Sequence, residues 1–328
     1  MSDPFTVVST FSGTGGSSKG YEMAGFEVRL AVEWDDHAAE CYRLNFLETP
    51  LYHGDVTKLT VEEALSLSGL EPGELDLFDG SPPCQGFSTS GKRELDDPRN
   101  TLFRDYARLL EGLRPKTFVM ENVSGMVKGK MRLVFAQVLR TLRGCGYRVS
   151  ARLMNAKWYG VPQSRERMTF IGVREDLGIA PSHPAGWGPP ITAREALAGL
   201  PEVTERTLHD LGYWIWARAE PYQRWSLYHP KGHWFNSVTI HPDRPAPTIP
   251  ATNGSRGGGS TVAHWAHPRC LTIAEVKRLF TFPDDFELVG NHTDQWKRLG
   301  NSVPPLLIKA VAEHIRDEIL SPSTAQAA

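Results

Sequence analysis

The sequence predicts an α/β fold, a doubly wound and mostly parallel sheet joined to a smaller, loop-rich domain. Three observations carry this. Apolar, strand-like runs alternate with helical periodicity through residues 1–175, and such alternation places crossover helices on both faces of a parallel sheet. The first apolar run ends in a glycine-rich turn ahead of a helix, Phe11-Ser12-Gly13-Thr14-Gly15-Gly16-Ser17, at the usual ligand position of a doubly wound sheet. Periodicity then weakens beyond Pro181–Pro190, a Pro- and Gly-rich stretch that reads as a linker.

The strands predicted in order are Thr6–Phe11, Val28–Glu33, Leu75–Phe78, Thr117–Glu121, Tyr147–Leu153 and Thr169–Val173. Helices are predicted between them at Ser17–Ala24, His37–Asn45, Thr101–Leu113 and Arg132–Leu142. Residues 186–270 hold many aromatics, among them Trp214, Trp216, Trp225, Tyr228, Trp234 and Phe235, and a glycine-rich stretch at Asn253–Ser260. The aromatics read as the core of a small domain or, alternatively, as a base-stacking surface. After Pro304-Pro305, Leu306, Leu307, Ala310, Val311 and Ile315 recur at helical spacing. The expected division is a catalytic domain of residues 1–182 and 288–328 and a small domain of residues 183–287.

A chain of 328 residues with 40% hydrophobic content suffices for one large domain and a small one. No apolar run is long enough to span a bilayer and no signal-peptide pattern opens the chain, so a soluble, cytoplasmic protein is expected. The formal net charge of −2 argues against coating nucleic acid by charge alone, while leaving room for a basic cleft. Cys41, Cys84, Cys145 and Cys270 are scattered, with no CxxC pair, against a zinc site or a disulfide framework. The histidines show no ligand spacing, and no metal is expected; His264 and His267 are three apart but sit near glycines, with no carboxylate partner expected close by.

Pro82-Pro83-Cys84-Gln85-Gly86-Phe87-Ser88 follows an apolar strand, Leu75–Phe78, and a turn, Asp79-Gly80-Ser81. Prolines before a thiol and glycine after it suit a sulfur held at one point for attack. A second apolar strand ends in Glu121, and Gln163-Ser164-Arg165-Glu166-Arg167 follows a further strand and turn. Together they offer a nucleophile, a proton donor and an anion or carbonyl clamp. Glycines of the first turn admit a ligand close to the backbone. Glu33, at the end of the second strand, is placed to accept from ribose hydroxyls. Trp34 is placed to lie against a base, and Asp55, before Val56, to accept from an exocyclic amine. Glu33 and Asp55 are less specific and also admit structural roles.

Phe11–Gly16, Pro82–Ser88, Glu121-Asn122-Val123, Gln163–Arg167 and Gly300-Asn301-Ser302-Val303-Pro304-Pro305 occur in this order. This pattern resembles the DNA (cytosine-5) methyltransferases, as in bacterial modification enzymes, from about residue 7 to 315 with 186–240 excepted. Arg244–Ile249 and the run from Leu271 to Phe286 also resemble family segments. The resemblance implies a Rossmann-like, class I S-adenosylmethionine-dependent fold with a target-recognition domain. It implies methylation of cytosine at carbon 5 in a specific double-stranded DNA sequence, by base flipping and a covalent bond from Cys84 to carbon 6. Glu121, held protonated by burial, would donate at N3. Arg165 matches a positioning arginine and Arg167 the one that bonds the cytosine O2.

By the same resemblance, Phe11, Gly13, Gly15, Gly16, Glu33, Trp34, Asp55, Val56, Pro83, Leu102, Asn301, Ser302 and Val303 line the cofactor pocket. Pro82, Gln85 and Ser88 face the target base. Ser88–Thr101, with Lys92, Arg93 and Arg99, reads as an element that closes over the site and meets phosphates. A restriction endonuclease acting on the same site is the candidate partner, and a monomer fits an enzyme acting on one strand at a time. Two rivals share the fold: a tRNA cytosine-5 methyltransferase, and a non-catalytic DNA-binding relative. The residue after Pro-Pro-Cys-Gln is Gly86, the small region lacks a Cys-Phe-Thr segment, and both Cys84 and Glu121 are present, which favours the DNA enzyme.

Overall fold

A computed structural model describes residues 3–83, 101–127, 131–252 and 260–322. The chain forms two compact units. The first consists of Met1–Met154, Glu166–Ala185 and Leu307–Ala328, and the second of Asn155–Arg165 and Gly186–Leu306.

In the first unit, β1 (Thr6–Thr10), β2 (Glu27–Glu33), β3 (Leu51–His53), β4 (Leu77–Gly80), β5 (Thr117–Val123), β6 (Tyr147–Asn155) and β8 (Glu166–Arg174) form one sheet. A two-residue strand, β7 (Gln163–Ser164), lies outside it. The order is β3-β2-β1-β4-β5-β8-β6. β1, β2, β3, β4 and β5 pair in parallel, and β8 runs antiparallel to β5. Strand order proceeds outward from β1 in one direction and from β4 in the other. The switch point, where doubly wound sheets bind ligands, therefore lies beyond the carboxyl ends of β1 and β4.

The crossovers are α1 (Gly16–Met23), α2 (Asp36–Asn45), α3 (Val61–Ser68), α4 (Thr101–Leu113) and α5 (Met131–Gly144). Their starts follow local chemistry. Asp35 caps α2 by accepting from the Ala38 amide, and Thr60 caps α3 by accepting from the Glu63 amide. Gly69 closes α3 in the left-handed conformation. Both faces of the sheet are apolar, and Val8, Leu30, Phe78, Tyr106, Phe118, Met120 and Phe170 belong to its core.

β4 differs from the predicted strand. It runs to Gly80, so Asp79 and Gly80, expected as a turn, are strand residues paired with Val119 and Met120. An acid would normally end an apolar strand. Here Ser9 Oγ donates to Asp79 Oδ2 at 2.9 Å and the Tyr21 hydroxyl donates to Oδ1 at 3.0 Å, so the buried carboxyl is satisfied in place.

The second unit contains α6 (Ala193–Leu197), α7 (Asp210–Trp216), α8 (Ile273–Leu279) and α9 (His292–Asn301). It also contains β9 (Val238–Thr239), β10 (Ala246–Pro247) and β11 (Val262–Ala263). Two short parallel ladders, β10 with β7 and β11 with β9, replace a large sheet. Trp225 is buried with Ile215, Leu208 and Cys270, and Trp216, Tyr228 and Trp234 pack on them, while Tyr213, Trp214 and Phe235 are exposed. The aromatic segment thus divides between core and surface.

A buried Arg269–Glu275 pair, two hydrogen bonds at 2.8 Å each, pins the start of α8. Burial opposes the charge on Glu275, but Arg269 and the Thr272 amide hold its pKa below the usual value. His264 lies 3.9 Å from Glu275, and burial pushes its pKa down to about 4, so it sits there as a neutral core side chain. Cys41 and Cys270 are buried and Cys145 half-buried, with burial raising the Cys145 pKa, as packing residues do.

The expected division and the observed units differ over residues 155–165 and 288–306, which lie in the second unit, and over 183–185, which lie in the first; for 288–306 the cause is visible. The reason is backbone contact far along the chain. The Trp296 indole donates to the Pro250 carbonyl at 2.9 Å, and Gly300 lies against the backbone of Pro250 and Ala251. α10 (Pro305–Ile315) then carries the chain into the first unit.

Candidate active site

The turn after β1 is held by hydrogen bonds within the first unit. Ser12 Oγ donates to the Ser9 carbonyl at 2.8 Å and accepts from the Val32 amide at 3.2 Å. Phe11, Gly13 and Gly15 all have positive φ, at 55°, 56° and 96°. At Gly15 a Cβ would stand 2.1 Å from the Phe46 ring, so only glycine fits both the angle and the space. At Gly13 a Cβ would meet nothing within 4 Å, which leaves bare backbone beside open space. Gly16 is buried at the first position of α1.

Glu33 closes β2 and is only 6% exposed. Its Oε2 accepts from the Gly13 amide and its Oε1 from the Asp35 amide, each at 2.8 Å. Burial raises its pKa against those backbone donors. The Trp34 amide donates to the carboxylate as well, which leaves it capacity for one more donor such as a ribose hydroxyl. Trp34, next in sequence, is 74% exposed and offers a bare aromatic face. An open glycine turn, a buried acid with a spare acceptor site and an exposed indole fit an adenosine group. Asp55 is exposed and accepts from the Thr57 amide at 3.0 Å, Val56 is buried, and Leu102 packs partly buried against the sheet core.

Beyond β4, Pro82 is buried and Pro83 half-buried. The Pro82 carbonyl accepts from Asn122 Nδ2 at 3.1 Å, which joins the end of β4 to the neighbouring strand. Cys84, Gln85, Ser88, Lys92, Arg93 and Arg99 lie outside the described residues.

Glu121, in β5, is 8% exposed. Antiparallel pairing sets Val123 opposite Arg167 and Glu121 opposite Thr169. Arg167 Nε lies 2.5 Å from Glu121 Oε1, yet that oxygen accepts no aligned hydrogen bond among the described residues. The two contacts are reconciled by direction: the charges touch, but the N–H does not aim at the oxygen. Arg167 Nη1 donates to the Glu166 carbonyl at 2.9 Å.

Arg165 belongs to the second unit and is buried, 1% exposed. Its guanidinium donates to the Ile249, Gly300 and Ser302 carbonyls at 3.2, 2.8 and 3.1 Å and lies over the Phe280 ring. It is an internal strut that ties its own segment to two others, at Ile249 and at Gly300–Ser302. Asn301 is exposed, Val303 is buried, and Ser302 Oγ donates to the Arg298 carbonyl at 2.8 Å.

The first unit therefore brings Gly13 to Glu33, Pro82 to Asn122, and Glu121 to Arg167. Two residues went unassigned in the sequence reading. Asn122 stands inside the Glu121-Asn122-Val123 motif, and its bond to the Pro82 carbonyl is a contact 40 residues away that the motif does not announce. Asp79 shows itself only as an acid inside an apolar strand.

A mostly parallel seven-stranded sheet with an antiparallel strand near one edge, a glycine turn after β1 and an acid closing β2 define a Rossmann-like, class I methyltransferase fold. The model of the C-5 cytosine-specific DNA methylase family matches residues 5–317. The chain belongs to that family and is a DNA (cytosine-5) methyltransferase. It is 33% identical to the type II methyltransferase M1.HphI of Haemophilus parahaemolyticus, over 94% of this chain and 86% of that protein. It is 32% identical to M.NgoPII of Neisseria gonorrhoeae, over 96% of each. Among solved structures it is similar to a protein encoded within an Escherichia coli prophage and described as a DNA modification methyltransferase. That similarity has a TM-score of 0.80 and 25% identity, over 96% of this chain and 99% of that one.

Proposed function

We propose that the protein uses S-adenosylmethionine to methylate cytosine at carbon 5 within one double-stranded DNA sequence, as a modification enzyme. The buried Glu121 carboxyl beside Arg167 carries this reading. It stands on the strand next to the one that leads into Pro82-Pro83-Cys84, with Asn122 and Pro82 joining the two.

The target atom lies inside the base stack, so the cytosine must be everted. The Cys84 thiolate adds to carbon 6, and electron density moves toward N3 and O2. Glu121 gives its proton to N3, and the Arg167 guanidinium meets the charge at O2. Carbon 5 is then nucleophilic. S-adenosylmethionine, when bound, supplies the methyl electrophile. A base or water removes the carbon 5 proton, the carbon–sulfur bond breaks, and the N3 proton returns to Glu121. The Pro82 carbonyl accepts from the exocyclic amine of the cytosine, which helps to reject thymine. Gln85 and Ser88 complete the base pocket.

Glu33 holds the ribose, Trp34 and Val56 flank the adenine, and Asp55 accepts from its amine. Phe11, Gly13, Gly15, Gly16, Pro83, Leu102, Asn301, Ser302 and Val303 complete the cofactor pocket. Arg165 acts as a strut for the segment that carries Asn301 and Ser302. The second unit reads the DNA sequence. The protein works as a cytoplasmic monomer at the nucleoid, paired with a restriction endonuclease of the same specificity. Among the described residues no helix is long and apolar enough to cross a membrane.

Bisulfite sequencing of DNA from a host expressing the chain tests this. Unconverted cytosines are expected at a single position of one short sequence. Full conversion at every site, with methyl label entering tRNA instead, would overturn the DNA substrate.

A further inference from the structure

No step of the proposed mechanism uses Asp79, a buried acid of β4 that is 2% exposed. A strand covered on both faces is normally apolar throughout. Burial pushes the Asp79 pKa up to about 7, against the lowering effect of the bonds from Ser9 and Tyr21. A carboxyl here therefore costs stability that an apolar side chain would not. What it supplies instead is direction. Ser9 Oγ donates to Oδ2 at 2.9 Å, and the Tyr21 hydroxyl donates to Oδ1 at 3.0 Å. Ser9 lies in β1, ahead of the glycine turn, and Tyr21 lies in α1, beyond it. The Thr10 hydroxyl, between Ser9 and the turn, donates to the Asp79 carbonyl at 3.0 Å. One residue of β4 thus holds both flanks of the turn, with one carboxyl oxygen to each.

The hold continues into the turn. The Ser9 carbonyl accepts from Ser12 Oγ at 2.8 Å, and the next residue, Gly13, gives its amide to Glu33. On the helix side the Tyr21 ring is fully buried and meets the Phe26 ring edge-on, at 6.0 Å between centroids. Packing therefore fixes the hydroxyl that reaches Asp79.

We propose that Asp79 is a positioning residue for the cofactor, a tie that sets the gap between the end of β1 and the start of α1. This rests on the reading of the glycine turn and Glu33 as the cofactor site. A turn held in one arrangement before binding loses little freedom when S-adenosylmethionine arrives. With the tie cut, the turn samples other arrangements, and apparent affinity falls with the fraction that stays competent. β4 leads on to Pro82-Pro83-Cys84, so the tie also fastens the turn for the methyl donor to the strand that precedes the nucleophile.

Equilibrium binding of S-adenosylmethionine, measured by calorimetry well below the melting temperature, tests this with Asp79→Leu. Leucine is close to aspartate in shape and accepts from neither hydroxyl. The Kd is expected to rise about tenfold, as it does when one-tenth of the molecules remain competent, with KM for DNA within about twofold. A packing role alone would lower the melting temperature and leave the Kd of the folded protein unchanged, and that result overturns the proposal. If Asp79→Leu does not fold, Tyr21→Phe cuts the helix flank alone and keeps the ring in place. Its Kd is expected to rise about threefold or more; an unchanged Kd there overturns the proposal equally. Glu33→Ala separates the two readings. If it binds the cofactor as tightly as the unaltered chain, the cofactor reading of the turn fails and this inference with it. If it binds weakly while Asp79→Leu and Tyr21→Phe bind normally, this inference alone fails.

Discussion

Cys84→Ser is expected to lower methyl transfer by on the order of 10⁴-fold or more while leaving cofactor affinity within about twofold, since losing a nucleophile removes the covalent route rather than the binding site. A thiol with an ordinary pKa of about 8.5 holds usable thiolate near neutrality, whereas a serine hydroxyl holds almost no alkoxide. Carbon 5 of cytosine becomes nucleophilic only after addition at carbon 6, so serine leaves the ring unactivated. The proposed cofactor residues Glu33, at the end of β2, and Trp34, next in sequence, are untouched by the change. Single-turnover transfer of a labelled methyl group, read beside equilibrium cofactor binding, checks both halves. Turnover within tenfold of the unaltered enzyme would remove the assignment.

Glu121→Gln is expected to cost about 10²–10⁴-fold in the chemical step, the range for loss of a general acid. The amide has nearly the shape of the carboxyl but no proton to give to N3. The side chain is buried in β5 and its Oε1 accepts no aligned hydrogen bond among the described residues, so the substitution there removes only the charge beside Arg167. The loss belongs in kcat, with KM for DNA little changed, because the donated proton matters most as charge builds at N3. Thermal melting separates this from unfolding. A well-folded Glu121→Gln enzyme with unchanged kcat would show that N3 is protonated from elsewhere.

Much of the first unit was legible because its signals are local. The helix at Thr101–Leu113 was predicted to the residue. Thr6–Phe11, Val28–Glu33 and Tyr147–Leu153 each match a strand within two residues at either end, since apolar runs bounded by turn residues need no distant information. Glu33 was legible as an acid at a strand end beside a glycine turn, and its bond to the Gly13 amide follows from that placement.

What was hidden depends on partners far along the chain. Asp79 read as the start of a turn because nothing nearby shows that Ser9 and Tyr21, 70 and 58 residues away, would satisfy it inside a strand. Arg165 read as a site residue near Arg167. Its acceptors lie 84, 135 and 137 positions on, at Ile249, Gly300 and Ser302, and no periodicity announces a guanidinium spent on carbonyls. The same contacts hold residues 288–306 in the second unit. Side-chain alternation would set residues 165 and 167 of one strand on a common face, but β8 begins only at Glu166, so the rule does not reach Arg165.

The central claim is that one sulfur attaches to a cytosine ring during each turnover. DNA carrying 5-fluorocytosine at the target position tests it most directly, because fluorine at carbon 5 blocks the elimination that frees the enzyme. Incubated with such DNA and the methyl donor, the protein should run as a stable covalent complex whose cross-linked peptide contains Cys84, and Cys84→Ser should form none. Methylated product without any trapped complex, or a cross-link at a residue other than Cys84, would contradict the account.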